Sequence, residues 1–140
     1  MFTDTHCHLT MLDLAPYGGD LDLALAQARE VGVSRFMSIS VDLDDHIQLA
    51  EIAARHADVG YSVGVHPCED PAVMARATTD CLVELAQPEK AWALGETGLD
   101  YFHSTDFIQE QKACFARHIH ASQIVKKPVV VHTRAAKHDT

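Results

Sequence analysis

The sequence is short of the features that mark specialised protein classes. Four cysteines occur in 140 residues, at positions 7, 68, 81 and 114, with no C-x-x-C pair. That excludes a disulfide-stapled scaffold and a thiol redox motif, and leaves reduced, packed thiols as the expectation. Bases are scarce, with 11 Lys and Arg against 20 Asp and Glu and a net charge of -9, which argues against indiscriminate binding to a polyanion. Long apolar runs are missing too: Pro128 to Val131 is typical, far below the ~18 residues of a membrane span. The N-terminal Met1-Phe2-Thr3-Asp4 carries an acid where a secretory signal has bases and an apolar stretch. A cytoplasmic location with no membrane partner is therefore expected. The length is short for one architecture in particular, since a closed eight-fold (β/α) barrel takes ~250 residues.

What is present is an ordinary globular balance, 47% hydrophobic and 22% charged, fit for one domain. Short β-branched runs alternate with helical stretches. The pattern predicts strands over about 2–9, 34–40, 59–66, 91–95 and 128–133, and helices over about 20–31, 44–56, 71–86 and 106–126. Asp70-Pro71 is a helix start, and Gly32 follows Val31 where a helix stops. Phe115, Ile119 and Ser122 share a helical face with Gln111, which reads as packing against a sheet. Nearly continuous apolar strands separated by helices imply a parallel sheet with right-handed crossovers. The charge is uneven: from Lys112 onward six bases accompany the single acid Asp139. A solvated helix face and strand entry is preferred over a phosphate-contacting patch.

In parallel sheets ligands bind beyond the carboxyl ends of the strands, and the unusual residues fall there. Ten histidines are present. His6 and His8, at i and i+2 of a strand, lie on one face and can reach one ion, whereas Cys7 between them points the other way. An H-x-H pair alone is a weak signal. It gains weight from Glu96, whose small neighbours Gly95, Thr97 and Gly98 let the backbone turn and aim a carboxylate able to bridge two ions; the plainer reading is an exposed turn acid. His132 ends a Pro-Val-Val-Val run and is either a rim ligand or a satisfied core histidine. His66, held extended by Pro67, is a ligand, a loop residue or, as preferred, a hydrogen-bond donor to substrate. Arg134 offers a fork for phosphate or a structural salt bridge. Asp100 and Tyr101 either bind substrate or brace the site. Histidines 46, 56, 103, 118, 120 and 138 are assigned to the surface.

Four segments, Asp4-Thr5-His6-Cys7-His8-Leu9, Gly64-Val65-His66-Pro67, Gly95-Glu96-Thr97-Gly98-Leu99-Asp100-Tyr101 and Pro128 through Arg134, resemble in order and spacing the TatD family of metal-dependent deoxyribonucleases. The D-x-H-x-H element is shared with other hydrolases, and the GETGLDY segment is the more specific. The resemblance implies an α/β fold of the TIM-like (β/α) barrel type, with residues 1–140 as the N-terminal portion of one hydrolase domain, its first five strands and four helices. It implies two divalent ions (zinc, magnesium or manganese), with His6 and His8 on one, His132 on the other and Glu96 bridging and catalytic. It also implies phosphate contacts from His66 and Arg134 and DNA, or RNA, as substrate. The family's further histidine and aspartate ligands are not in this sequence, so weak or no nuclease activity is expected of the 140 residues alone. Open barrel edges invite dimerisation or aggregation. The alternatives are an inactive fragment, a subunit that completes a barrel with a second chain, and an amidohydrolase or phosphomonoesterase of the D-x-H-x-H type.

Overall fold

A computed structural model describes all of residues 1–140. Five strands, β1 (Phe2–Cys7), β2 (Val33–Ser38), β3 (Val59–Val63), β4 (Ala91–Asp100) and β5 (Val129–Arg134), form one sheet in the order β1-β2-β3-β4-β5. Every pairing is parallel, so all carboxyl ends share one rim. The arrangement is a half-barrel of (β/α) units, its outer face covered by α1 (Leu21–Glu30), α2 (Asp45–Arg55), α3 (Pro71–Arg76), α4 (Thr79–Leu85) and α5 (Ile108–Val125). A 3-10 turn over Ala15–Tyr17 precedes α1.

Side-chain caps mark the start of three of the five helices, α1, α3 and α4. The Asp20 carboxylate accepts from the backbone N–H groups of Asp22 and Leu23, and that of Asp70 accepts from Ala72 N–H ahead of Pro71. The stretch 71–86, expected as one helix, is two. Ala77 leaves helical geometry and the Thr78 hydroxyl accepts from Cys81 N–H, starting α4 afresh. Five helices therefore stand where four were expected.

Leu49 and Ile52 of α2, Met74, Leu82, and the strand residues Val59, Val63 and Leu94 form the centre of the core, each almost fully buried. Burying each such side chain contributes about 1.5–3 kcal/mol relative to exposure. Helix α5 buries Gln111, Cys114, His118 and Ala121 against β4 and α4. The expected stripe of Phe115, Ile119 and Ser122 is displaced from this: of those three none is buried, and Ile119 is exposed. The assignment of His118 to the surface is overturned with it.

Three of the six C-terminal bases have hydrogen-bonded or ion-paired partners. Lys127 Nζ donates to the carbonyls of Ala86 and Pro88, Arg117 donates to those of Ala77 and Met74, and Lys112 pairs with Asp139. All four cysteines are free thiols, and burial together with the Asp4 charge pushes the Cys7 thiol up to about 12. No helix is long and apolar enough to cross a membrane.

Candidate metal centre

Strand β4 runs through to Asp100, beyond the expected end at Gly95, and Glu96 lies inside it rather than on a turn. The register with β5 shifts between Leu94, opposite Val129, and Thr97, opposite Val131. This bulge carries Gly95 and Glu96, and a bulge of this kind re-aims a side chain. Gly95 has φ +118° and Gly98 φ +141°, values that only glycine adopts without strain. A side chain at Gly98 would run into the His132 carbonyl, so this glycine lets β5 lie close beside the end of β4.

The bulge points the Glu96 carboxylate at two separate imidazole groups. Its Oε2 lies 3.3 Å from His6 Nε2 and its Oε1 3.3 Å from His132 Nδ1. His6, near the end of β1, and His8, just past the strand, which stops at Cys7 rather than at Leu9 as expected, have ring centroids 5.3 Å apart. Potential ligand atoms of His6, His8 and Glu96 lie within 4.8 Å of one another, as do those of His66, Glu96 and His132. A cleft of about 210 Å³ opens beside them, lined by His8, Met11, Val41, His66, Glu69 and Glu96.

Hydrogen bonds assign the imidazole protons. His8 Nδ1–H donates to the Ile39 carbonyl at 3.0 Å, leaving the Nε2 lone pair free. His132 Nε2–H donates to Asp100 Oδ2 at 2.9 Å, leaving Nδ1 as its acceptor. That nitrogen and Glu96 Oε1, both acceptors, then face each other across 3.3 Å, an arrangement that a cation satisfies. His66 differs. Its Nδ1 accepts from Cys68 N–H at 3.1 Å, so the proton sits on Nε2, which donates to His132 Nδ1 at 3.2 Å. Burial, reinforced by the His132 imidazole, lowers the His66 pKa below its ordinary value and keeps it neutral. His66 is thus built as a donor, whereas His6, His8, Glu96 and His132 supply nitrogen and oxygen atoms of the type that hold zinc or manganese.

Asp100 anchors the far side. Desolvation alone would raise its pKa, but the backbone N–H and side chain of His103, together with His132 and Cys68, outweigh it and hold the carboxyl well below the usual range. Tyr101 is turned away, its hydroxyl donating to Asp139 at 2.7 Å. Arg134 lies outside the cluster. Its guanidinium stacks on the exposed Phe102 ring at 3.8 Å and pairs with no carboxylate, so the structural salt bridge is not formed. Cys7 contacts the Met37 carbonyl and belongs to neither group of ligands.

Two histidines assigned to the surface shape the site, and two more are not surface residues: the His46 ring packs on Tyr61 with centroids 5.7 Å apart, and the His56 side chain is 12% exposed and pairs with Asp22. His118 is fully buried: Nδ1–H donates to the Cys114 carbonyl at 2.8 Å and Nε2 accepts from Val65 N–H at 3.2 Å, fixing the chain just before His66. His103, although exposed, bonds Asp100 at 2.8 Å. The i, i+3, i+7 spacing of Gln111, Cys114 and His118 was the signal for the first; no sequence signal joins His103 to Cys68.

A chain with this half-barrel and this histidine-carboxylate rim has clear relatives. The family model described as TatD related DNase matches residues 3–140, and the chain belongs to that family. It is 35% identical over 139 residues to the "Uncharacterized metal-dependent hydrolase YcfH" of Escherichia coli K12, covering 98% of this chain and 51% of that protein. It is 27% identical over 125 residues to the "3'-5' ssDNA/RNA exonuclease TatD" of Shigella flexneri, covering 89% of this chain and 48% of that one. Among solved structures, a TatD family hydrolase from Entamoeba histolytica superposes with a TM-score of 0.79 at 24% identity, over 99% of this chain and 51% of that one. The chain spans about half the length of the relatives that it matches.

Proposed function

We propose that residues 1–140 form the N-terminal portion of a metal-dependent hydrolase domain that cleaves phosphodiester bonds in DNA with two divalent ions. The observation that carries this reading is the division of one carboxylate between two imidazole groups: Glu96 Oε2 at 3.3 Å from His6 and Oε1 at 3.3 Å from His132. A shared carboxylate is how a protein sets two ions side by side. His6 and His8 would hold one ion and His132 the other, and the reading is the same for zinc, magnesium or manganese. When bound, the ions polarise the phosphodiester and activate water.

The protein's own groups do the rest. Asp100 keeps the His132 proton on Nε2 and so leaves a lone pair on Nδ1, which accepts from His66 Nε2–H and would turn to an ion. His66 Nε2–H, bonded to His132 Nδ1 in the structure, would turn to a non-bridging phosphate oxygen once an ion holds that nitrogen, with Nδ1 locked by Cys68 N–H. Arg134, released from Phe102, adds a second phosphate contact with the fork geometry that suits it. The Shigella relative's name joins single-stranded DNA and RNA, which makes single-stranded DNA the first substrate to test and RNA the second.

The test is a panel of single-stranded DNA, RNA, phosphomonoesters and cyclic amides, each with and without added ion. The account predicts ion-dependent binding of single-stranded DNA that weakens in His66→Ala and Arg134→Ala. Any cleavage is of the nucleic acid and disappears in Glu96→Gln. Failure to bind DNA in the presence of ions, or turnover of a phosphomonoester or amide instead, overturns it. In the 140-residue chain β1 and β5 each have one unpaired edge, and Phe2 and Val131 are exposed. Self-association follows for this chain, and a concentration-independent monomer in sedimentation would contradict it.

A further inference from the structure

Around Asp100, in a group that does not include Glu96, three different ligand types from three places in the fold converge. Cys68 lies in the loop after β3, Asp100 ends β4, and His103 lies in the turn that follows it. Cys68 Sγ is 3.4 Å from Asp100 Oδ2 and 3.6 Å from His103 Nδ1, and His103 Nδ1 is 2.8 Å from Asp100 Oδ2. We infer that Cys68, Asp100 and His103 form a further metal site, selective for zinc and separate from the histidine pairs around Glu96.

The geometry carries the inference. With ordinary zinc bonds to sulfur, nitrogen and oxygen, ligand atoms of a tetrahedral site lie ~3.3–3.6 Å apart. The two separations that involve sulfur already match, and the third opens by about half an ångström once an ion replaces the N–H···O bond. The Asp100 side chain is fully buried, so its position is fixed. A cavity of about 360 Å³, lined in part by Cys68, Asp100, His103 and Ser104, lies against the group, and it supplies room for water as the fourth ligand. Thiolate with imidazole and carboxylate favours zinc over magnesium or manganese. On binding, the Cys68 thiol proton leaves to solvent and the His103 proton moves to Nε2, so that both ligand atoms present lone pairs. Because Asp100 Oδ2 also accepts from His132, an ion here draws on the carboxylate that orients His132.

Cobalt substitution tests the site without reference to catalysis, since the Glu96 groups contain no thiol. The 140-residue chain loaded with cobalt(II) is expected to show a sulfur-to-cobalt charge-transfer band. Cys68→Ser abolishes that band and binds one equivalent less zinc, His103→Ala weakens it, and Cys7→Ser leaves it intact. Cys68 is exposed, so the serine variant keeps its fold, as circular dichroism would verify. Absence of the band from the unsubstituted chain, or its persistence in Cys68→Ser, overturns the inference.

Discussion

Asp100 Oδ2 accepts the Nε2 proton of His132 at 2.9 Å, and this bond decides which edge of the imidazole faces Glu96. Partners of this kind fix the tautomer and raise the basicity of the ligating nitrogen, and their loss typically costs about 10–100-fold in metal affinity. Asp100→Asn keeps the shape and removes the charge. In a Cys68→Ser background, where the thiol cannot contribute, calorimetry should show zinc affinity falling within that range. Unchanged affinity would mean that His132 is oriented by something else.

His118 should make the fold sensitive to mild acid. Burial pushes its pKa down to about 4 from the ordinary 6.5. Below pH 6.5 the unfolded chain takes up a proton that the folded chain refuses, so stability falls as the pH drops from 6.5 to about 4 and levels off beneath. The full loss is on the order of 3 kcal/mol. His46 and His66, also lowered by burial, act in the same direction. Urea unfolding across this range should show a shallower pH dependence for His118→Gln than for the unsubstituted chain, and superimposable profiles would contradict the assignment.

The sequence showed some of this and hid the rest for identifiable reasons. The i, i+2 spacing anticipates that His6 and His8 come together, although β1 itself ends at Cys7. The order of strands and helices is likewise legible, because each βα unit has its own apolar pattern. The break at Ala77 and Thr78 was hidden by apolar and alanine residues on both sides, which keep a helical pattern through a capping threonine. Glycine at 95 and 98 suggests a turn that aims Glu96; in the fold the same glycines serve a bulge and a close strand approach. His118 was misplaced because Phe115 and Ile119 drew the helix face one position away from the buried one. The partnership of Cys68 with His103 arises only when two loops meet, which sequence spacing does not encode.

Gly98 tests the packing that brings β5 to Glu96. At φ +141° and with the His132 carbonyl in the place a Cβ would take, Gly98→Ala combines backbone strain with a clash. The expected loss is about 3 kcal/mol in urea unfolding. A loss below about 0.5 kcal/mol, the level of an ordinary surface substitution, would show that β4 and β5 do not need this close approach.

The central claim is that Glu96 joins the His6–His8 pair and the His132 side into one metal centre, and zinc calorimetry on Glu96→Gln in the Cys68→Ser background tests it most directly. Glutamine keeps the size of the side chain and removes the charge shared by both sides. Affinity should fall at least about 100-fold, the upper end of what losing even an outer partner costs, with the fold intact by circular dichroism. Zinc binding as tight in the variant as in its parent would contradict the claim.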